Sequence, residues 1–596
     1  MEKKIMKIKK LGFMGLVGLM GFTLTGCTDF LEVEPQNDII LEKFWTEKSD
    51  VHSIITGCYS ALESDANIKR MMVWGEFRSD HIYIGENISS DGDLEKVLME
   101  NIDAKNTYTN WDGFYDVINR CNTVILYAPK VADKDPAYTQ SELKADIAEV
   151  VALRSLAYFY LIRTFRDVPY TTEAYTDDSQ KMDLPATPFN VVLDSLISSL
   201  QSVENDAVRR YPEDTPIYQT GRITQDAIRA MLCEMYLWKQ DYDNCIKYAD
   251  LVIASKKQIG EDNRKKSSNY ASSGGTALFE RTNGYPLIDS QTSGKNFGNA
   301  YSTIFGDDNN ATRYMQEIIF QLVFEDSRAT NNSSYANGAV NSFYGNSSAR
   351  VGLVAPSDFL LEERDETQNR VVFDLKNKKL DARLYENFST GDKCINKYTA
   401  TDVSINATTE ANPRADYSGR YSQNQNGSNW IVYRLTDIML MKAEALSQKL
   451  MEGSEEDVVA YNKPILAEAF TLVNAVNKRS ICQPLAQLKD TLVASDYNTK
   501  SLMETLVYKE RQRELMFEGK RWYDLVRISR RTGSTADLAQ AALRKAQTSQ
   551  ALIANKLEKM DAIYWPYNYE EIKVNKNLVQ NPAFDSGEDK SYKKNY

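Results

Sequence analysis

Apolar residues recur at helical spacing along several stretches of the chain, and those stretches set the expected architecture. Residues 142–165, ELKADIAEVVALRSLAYFYLIRTF, are amphipathic in their first half and apolar nearly all round from Val150. That pattern predicts a helix whose second half is buried between other helices. Asp167-Val168-Pro169 stops it, because the residue before a proline leaves the helical region. Residues 189–204 predict the next helix. Residues 224–255 predict a helical hairpin, with Thr224 as N-cap, one helix to about Lys239, a Gln240-Asp241 turn and a second helix to about Ser255.

Further helical pairs are predicted at 431–449 with 464–479 and at 501–518 with 520–530. The hairpin at 224–255 has the look of a tetratricopeptide unit. In such a unit small residues twelve positions apart meet where the two helices approach, and Cys233 and Cys245 have that spacing. Either two packing residues or a disulfide fits them. First-helix centres fall near 158, 231, 440 and 511, not at a fixed period. A degenerate helical-repeat scaffold, about 142–255 and 429–530, is therefore expected to carry long insertions. The largest spans roughly 260–428, and residues 261–350 alone hold twelve Asn, six Tyr and eight Gly. A strand is expected at 317–325, EIIFQLVFE. Loops of such length inside a compact fold usually carry function. Residues 535–560 return to helix, and 565–584 read as irregular.

The N-terminus reads as an address. Lys3, Lys4, Lys7, Lys9 and Lys10 precede an apolar run at 11–24 that is too short to span a bilayer. Leu24-Thr25-Gly26-Cys27 follows and resembles a bacterial lipobox, after which the Cys thiol is acylated. Residues 1–26 are thus expected to be a lipoprotein signal peptide, 27–45 a tether attached to lipid through Cys27, and 46–596 a single domain.

Charge and histidine count narrow the chemistry. Removing residues 1–26 leaves 66 basic and 82 acidic side chains, a net of −16, so nucleic acid is not an expected partner. His52 and His81 are the only histidines, which excludes a His-x-x-x-His zinc site. His81 follows Asp80, yet no G-x-S-x-G signature accompanies the pair. Glu510, Glu514 and Glu518 alternate with arginines at helical spacing and read as a structural ion-pair network, not as a catalytic carboxylate pair. Asp91-Gly92-Asp93 and Asp307-Asp308-Asn309 could each hold a structural calcium, but neither has a full ligand set, and turns are the expected outcome. No other cofactor is expected. Besides Cys27 there are six cysteines and no C-x-x-C pair, so buried thiols are the default.

Taken in order, six blocks resemble the RagB/SusD family of outer-membrane, nutrient-binding lipoproteins. They are Cys27 to Leu31; EVVALRSLAYFYLIRTFRDVP at 149–169; Gly221-Arg222-Ile223-Thr224 with its hairpin; YRLTDIMLMKAEAL at 433–446; ERQRELMFEGKRWYDLVR at 510–527; and 565–584. Arg166 stands where the family often has Gly, so a local backbone adjustment is expected there. The resemblance implies a mostly α-helical fold with tetratricopeptide-like units and minor β. It implies an oligosaccharide ligand, a SusC-like TonB-dependent transporter as partner and no catalysis.

Sugars are held by flat aromatic faces and by amide and carboxylate hydrogen bonds. Trp111, Trp238, Trp522 and Trp565 lie in helical or family-pattern blocks and are expected to pack in the core. The candidates for ligand contact lie outside these blocks: Trp74, Asp80, Tyr83 and Asn87 in WGEFRSDHIYIGENISSD, and Asn331, Tyr335, Asn341 and Tyr344 in NNSSYANGAVNSFYG. The resemblance places ligand between an N-terminal loop region and a loop of the large insertion. Two other functions stay open on sequence: an exported glycoside hydrolase using two carboxylates, and a repeat scaffold without a small ligand.

Overall fold

Helix α1, Lys48–Leu62, begins the part of the chain that carries the fold, and a short break leads to α2, Asp65–Met72. This computed structural model describes residues 44–177, 179–266, 281–288, 291–293, 296–306, 316–325, 336–361, 372–373, 380–389, 391–407, 413–422, 425–484, 488, 491–545 and 549–584. Cys27 and the rest of the expected signal and tether through residue 43 lie outside them, as do Asp307-Asp308-Asn309. Residues Thr46–Tyr596 form one unit of contacts. Among the described residues no helix is long and apolar enough to cross a membrane.

Helices dominate, as expected. α1 packs on α3, Asp112–Ala132, and α3 packs on α4, Gln140–Phe165. A capping box starts α4: the Thr139 side chain accepts from the Glu142 N–H, and the Glu142 carboxylate accepts from the Thr139 N–H at 3.0 Å. From Ala148 to Phe165 every residue of α4 is buried. The helix ends at Arg166, whose φ of 70° lies where glycine is at ease and other residues pay. Ion pairs to Asp167 and Asp561 hold that arginine. The backbone has adjusted where the sequence said it must.

Helix α5, Phe189–Val203, packs between α4 and the hairpin of α6, Gln225–Lys239, and α7, Tyr242–Lys266. Thr224 caps α6 by accepting from the Ala227 N–H, and Gln240 turns the chain at a φ of 64°. Cys233 and Cys245 face each other across the hairpin with their sulfurs 3.7 Å apart, both buried and both free thiols. α7 runs well beyond the expected Ser255. Lys256 explains part of this: it is buried and donates to the Ile318 carbonyl at 3.0 Å, tying the helix to the insertion.

Strand β1, Ile82–Ile84, follows α2 after a π-helical turn at Val73–Phe77. The expected strand at 317–325 is shorter, β2 at Ile318–Leu322. The other strands used below are β3, Val354–Pro356, which pairs antiparallel with β1, and β4, Ala400–Asn406, beside β5, Arg414–Arg420. β6, Trp430–Arg434, pairs antiparallel with β2 and joins the insertion to the scaffold. The insertion's helix α8 is Gly338–Tyr344. β6 runs directly into α9, Leu435–Gln448, which packs on α7, on α10, Glu456–Ser480, and on α11, Lys500–Glu514. α10 starts ahead of the expected Pro464, because that proline is exposed and water can serve the carbonyl that loses its partner. α12, Arg521–Thr532, completes the scaffold.

The acidic run at 510–518 is the interior of a buried ion network. Glu514 pairs with Arg434 at 2.7 Å, with Arg383 at 3.2 Å and with Arg479, and accepts from the Tyr301 hydroxyl at 2.7 Å. Glu510 pairs with Arg383 at 2.7 Å, and Glu518 with Arg434 at 2.7 Å and Lys397 at 2.6 Å. Burial pushes the Glu514 carboxyl up, but Arg479, Arg434 and Arg383 outweigh it and hold it well below the usual carboxylate range.

Candidate functional site

The break between α1 and α2 faces the insertion across a cleft of about 420 Å³. One wall carries Ser60, Glu63, Ser64 and Asp65, the other Val323, Phe324 and Glu325 with residues 336–339. Local sequence makes both walls. Glu63 closes α1, and Ser64 opens α2 by accepting from the Asn67 N–H. Opposite, β2 ends at Leu322, and Val323 turns its N–H to a Glu63 carboxylate oxygen at 3.0 Å. Gly221 lets this happen, since a Cβ there would lie 2.5 Å from a Val323 methyl. Asn337 anchors the end of the second wall: its side chain donates to the Ser428 carbonyl at 2.9 Å and accepts from the Val340 N–H at 3.2 Å. Gly338 permits the close approach of Asp65, whose carboxylate would stand 3.0 Å from a Cβ.

Glu63 is the chemically distinctive group. It is half-buried, and no lysine, arginine or histidine pairs with it among the described residues. Burial pushes its carboxyl up to about 7, with the Val323 N–H pulling the other way. The group can thus donate or accept a hydrogen bond near neutral pH. Ser60 and Ser64 supply hydroxyls, Asp65 and Glu325 supply exposed carboxylates, and Phe324 supplies a half-buried ring.

Several residues expected to touch ligand are core residues instead. Trp74 is fully buried, packed at 5.0 Å on Phe114 and edge-on at 5.3 Å to Phe165, and its indole N–H donates to the Tyr108 carbonyl at 2.8 Å. Asp80 is fully buried and held by Arg521 at 3.0 Å, Arg544 at 3.1 Å and Gln512 at 3.1 Å. Tyr344 is fully buried and donates to the Phe517 carbonyl at 3.0 Å, and Asn341 is buried and accepts from the Asn426 amide at 3.2 Å. None presents a face to a sugar, because each is consumed by partners far along the chain. His81 binds Glu76 at 2.6 Å through Nδ1 and faces Asp80 at 3.8 Å through Nε2, beyond hydrogen-bond reach, and both side chains are fully buried. Tyr83 is half-buried on β1 and Asn87 is exposed, and neither lines the cleft. Asn331 and Tyr335 lie outside the described residues. Asp91 caps the short helix Gly92–Leu98 and accepts from Tyr108, while Asp93 accepts from the Thr107 N–H at 3.0 Å, so this turn uses its own carboxylates.

The comparisons with known proteins decide the family. Residues 298–584 match the model of the SusD family, and residues 29–237 match a model described as starch-binding associating with outer membrane. The chain belongs to the RagB/SusD family. SusD-like protein P38 of Formosa agariphila is 26% identical over 538 residues, covering 85% of this chain and 89% of its own. SusD-like protein P25 of the same organism is 22% identical, covering 95% and 97%. Among solved structures, a SusD superfamily protein of Bacteroides thetaiotaomicron superposes with a TM-score of 0.58 at 19% identity, covering 91% of this chain and 99% of that one. A protein described as laminarin-binding and SusD-like superposes with a TM-score of 0.54 at 18% identity, covering 90% and 99%. The fold is the mostly helical SusD-like one.

A larger cleft of about 550 Å³ lies where α4, α5, α6 and α12 end. Its charged groups are already satisfied within this SusD-like scaffold. Lys239 pairs with Asp194 at 2.7 Å, Arg530 donates to the Tyr564 hydroxyl at 2.8 Å, and Trp238 packs on Phe159 and Phe189. The smaller cleft holds Glu63, a carboxyl that no cation pairs with among the described residues. Sequence reasoning missed Ser60, Glu63, Ser64, Asp65, Phe324 and Glu325 because it sought rings in loops. The available signal was Glu63-Ser64-Asp65, a helix end followed at once by a cap and an acidic first turn.

Proposed function

We propose that this SusD-like protein is a cell-surface glycan-binding lipoprotein. It is anchored to the outer membrane through acylated Cys27, captures oligosaccharide between α1–α2 and the insertion, and passes it unaltered to a SusC-like TonB-dependent transporter. The observation that carries the reading is Glu63, a carboxyl that no cation pairs with among the described residues, in a cleft where the N-terminal helices meet the insertion. Hydroxyl-rich ligands suit it, since a sugar hydroxyl can serve either protonation state. The relative described as laminarin-binding supports a glycan as ligand, and the starch-binding description supports the outer membrane as location. Asn331 and Tyr335 join the proposal by sequence, Tyr335 directly preceding Ala336 of the cleft. Tyr83 and Asn87 stay in it as contacts for a longer chain reaching beyond the cleft.

The test is a glycan array with residues 28–596. Binding of at least one oligosaccharide is expected, weakened by Glu63→Ala and by Tyr335→Ala. Absence of binding to every glycan, together with co-purification of a barrel, would leave the scaffold reading in its place. The raised Glu63 carboxyl near other carboxylates also fits a general acid, so the same samples are assayed for reducing ends. Release of reducing ends, lost in Glu63→Gln, would make the protein a hydrolase.

A further inference from the structure

We propose that Tyr218, on the connection between α5 and α6, is a second sugar-stacking position beside the cleft, so that the protein prefers oligosaccharides long enough to reach it. The inference rests on the glycan-binding reading of the cleft and names the length class of its ligand. Tyr218 is 42% exposed although it opens a helical turn, Tyr218–Gly221, that packs on β2. The Tyr211 ring meets it edge-on, with centroids 5.8 Å apart and planes at 75°. The Arg222 guanidinium lies over both rings, 5.3 Å from the Tyr211 centroid and 5.5 Å from that of Tyr218. Arg222 is itself fixed by a fork on the buried Glu149, its Nε donating at 2.8 Å. Gln219 closes the loop: its side-chain carbonyl accepts from the Tyr211 N–H at 3.1 Å, and its amide donates back to the Tyr211 carbonyl.

The same turn is joined to both walls of the cleft. Gly221 meets the Val323 side chain of one wall, and Gln321 of β2 donates to the Thr220 hydroxyl at 2.9 Å. On the other side the Ile223 N–H donates to the Tyr59 hydroxyl at 2.8 Å, and Tyr59 directly precedes Ser60 of the second wall. Phe324 follows Val323 in sequence and Tyr218 stands one helical turn before Gly221, so the ring in the cleft and the exposed ring are both attached to this one contact. A cleft of about 420 Å³ lies toward the small end of ligand pockets, so a longer chain must leave it. A sugar lays its C–H face flat on an aromatic ring, where polarised C–H groups meet the negative π face. Tyr218 offers that contact at little ordering cost, because Arg222 and Tyr211 hold the ring and Gln219 holds the loop. Two weak contacts on one chain reinforce each other, since the second forms at the effective concentration that the first sets.

The experiment measures affinities of residues 28–596 for oligomers of glucose, mannose, xylose, galactose and galacturonate, each as a length series from the disaccharide up. In the series that binds, affinity is expected to climb with length. Tyr218→Ala is expected to cost the longest members about tenfold and the shortest less than about twofold. Tyr218→Phe should keep the gain with length, because the ring carries it. Both variants should keep the wild-type melting temperature, since the side chain is exposed. Affinity that does not rise with length, or a loss in Tyr218→Ala that is absent or equal at every length, would overturn the second position and leave glycan capture standing. Failure of every oligomer to bind would instead overturn the glycan-binding reading beneath it.

Discussion

Arg434 at the end of β6 and Glu514 at the end of α11 meet at 2.7 Å, both fully buried and 80 residues apart in sequence. Isolated, either charge would be costly inside the protein; together with Arg383, Arg479, Lys397 and Glu518 they form a satisfied network. Removing one partner strands the others. Glu514→Gln or Arg434→Met should each cost on the order of 3–5 kcal/mol, and the double variant should recover part of the loss. Urea unfolding measures it, and strict additivity of the two losses would argue against the coupling.

Glu386 predicts a stability that falls as pH rises. It is buried, accepts from the Tyr301 N–H at 2.7 Å and the Ser302 N–H at 3.1 Å, and its other oxygen has no partner among the described residues. Burial pushes its carboxyl up to about 7 against the pull of those N–H groups. The folded state therefore holds this proton more tightly than the unfolded chain does. Stability from this group is full below the unfolded value near 4.5 and is lost as pH rises through about 7. Glu386→Gln should gain on the wild type by on the order of 2–3 kcal/mol between about pH 5 and about pH 8. Unfolding at the two pH values checks it, and a constant difference would contradict it.

Trp74 should matter for stability, not for ligand. Its packing on Phe114 and Phe165 and its bond to the Tyr108 carbonyl are lost together in Trp74→Ala, at a cost of about 3–5 kcal/mol. Tyr344→Phe removes the bond to the Phe517 carbonyl and should cost about 1 kcal/mol. Glycan affinity of either variant, measured while it remains folded, should equal that of the wild type.

Thiol titration tests the hairpin. Cys58, Cys121, Cys233, Cys245, Cys394 and Cys482 are buried and free. A chain lacking residues 1–27 should react with a thiol reagent slowly when folded and at all six positions once unfolded without reductant. Loss of two reactive thiols, mapped to Cys233 and Cys245, would mean that the pair at 3.7 Å closes into a disulfide.

The scaffold was legible because its signals are local. The capping box before α4, the apolar run after Val150 and the Thr224 cap all act within a few residues. Helix ends were less so: α7 outruns Ser255 because Lys256 finds the Ile318 carbonyl 62 residues away. The site was least legible. WGEFRSDH reads as a polar loop, but Asp80 meets Arg521 at a separation of 441 residues, and Arg78 donates to the Ala562 and Ile563 carbonyls. Nothing nearby in sequence announces that such charges will be paired and buried. Glu63 is the converse case, an ordinary glutamate at a helix end that finds no cation among the described residues.

The insertion is not a detachable module. Glu317, Arg383 and Lys397 all belong to residues 260–428, yet they complete the charge network of α10 and α11. A chimera that swapped this stretch between relatives to change glycan preference would also swap the counterions of the frame. Only grafts that keep these three positions, and replace cleft residues such as 323–325 between them, leave Arg479, Glu510 and Glu518 with their partners.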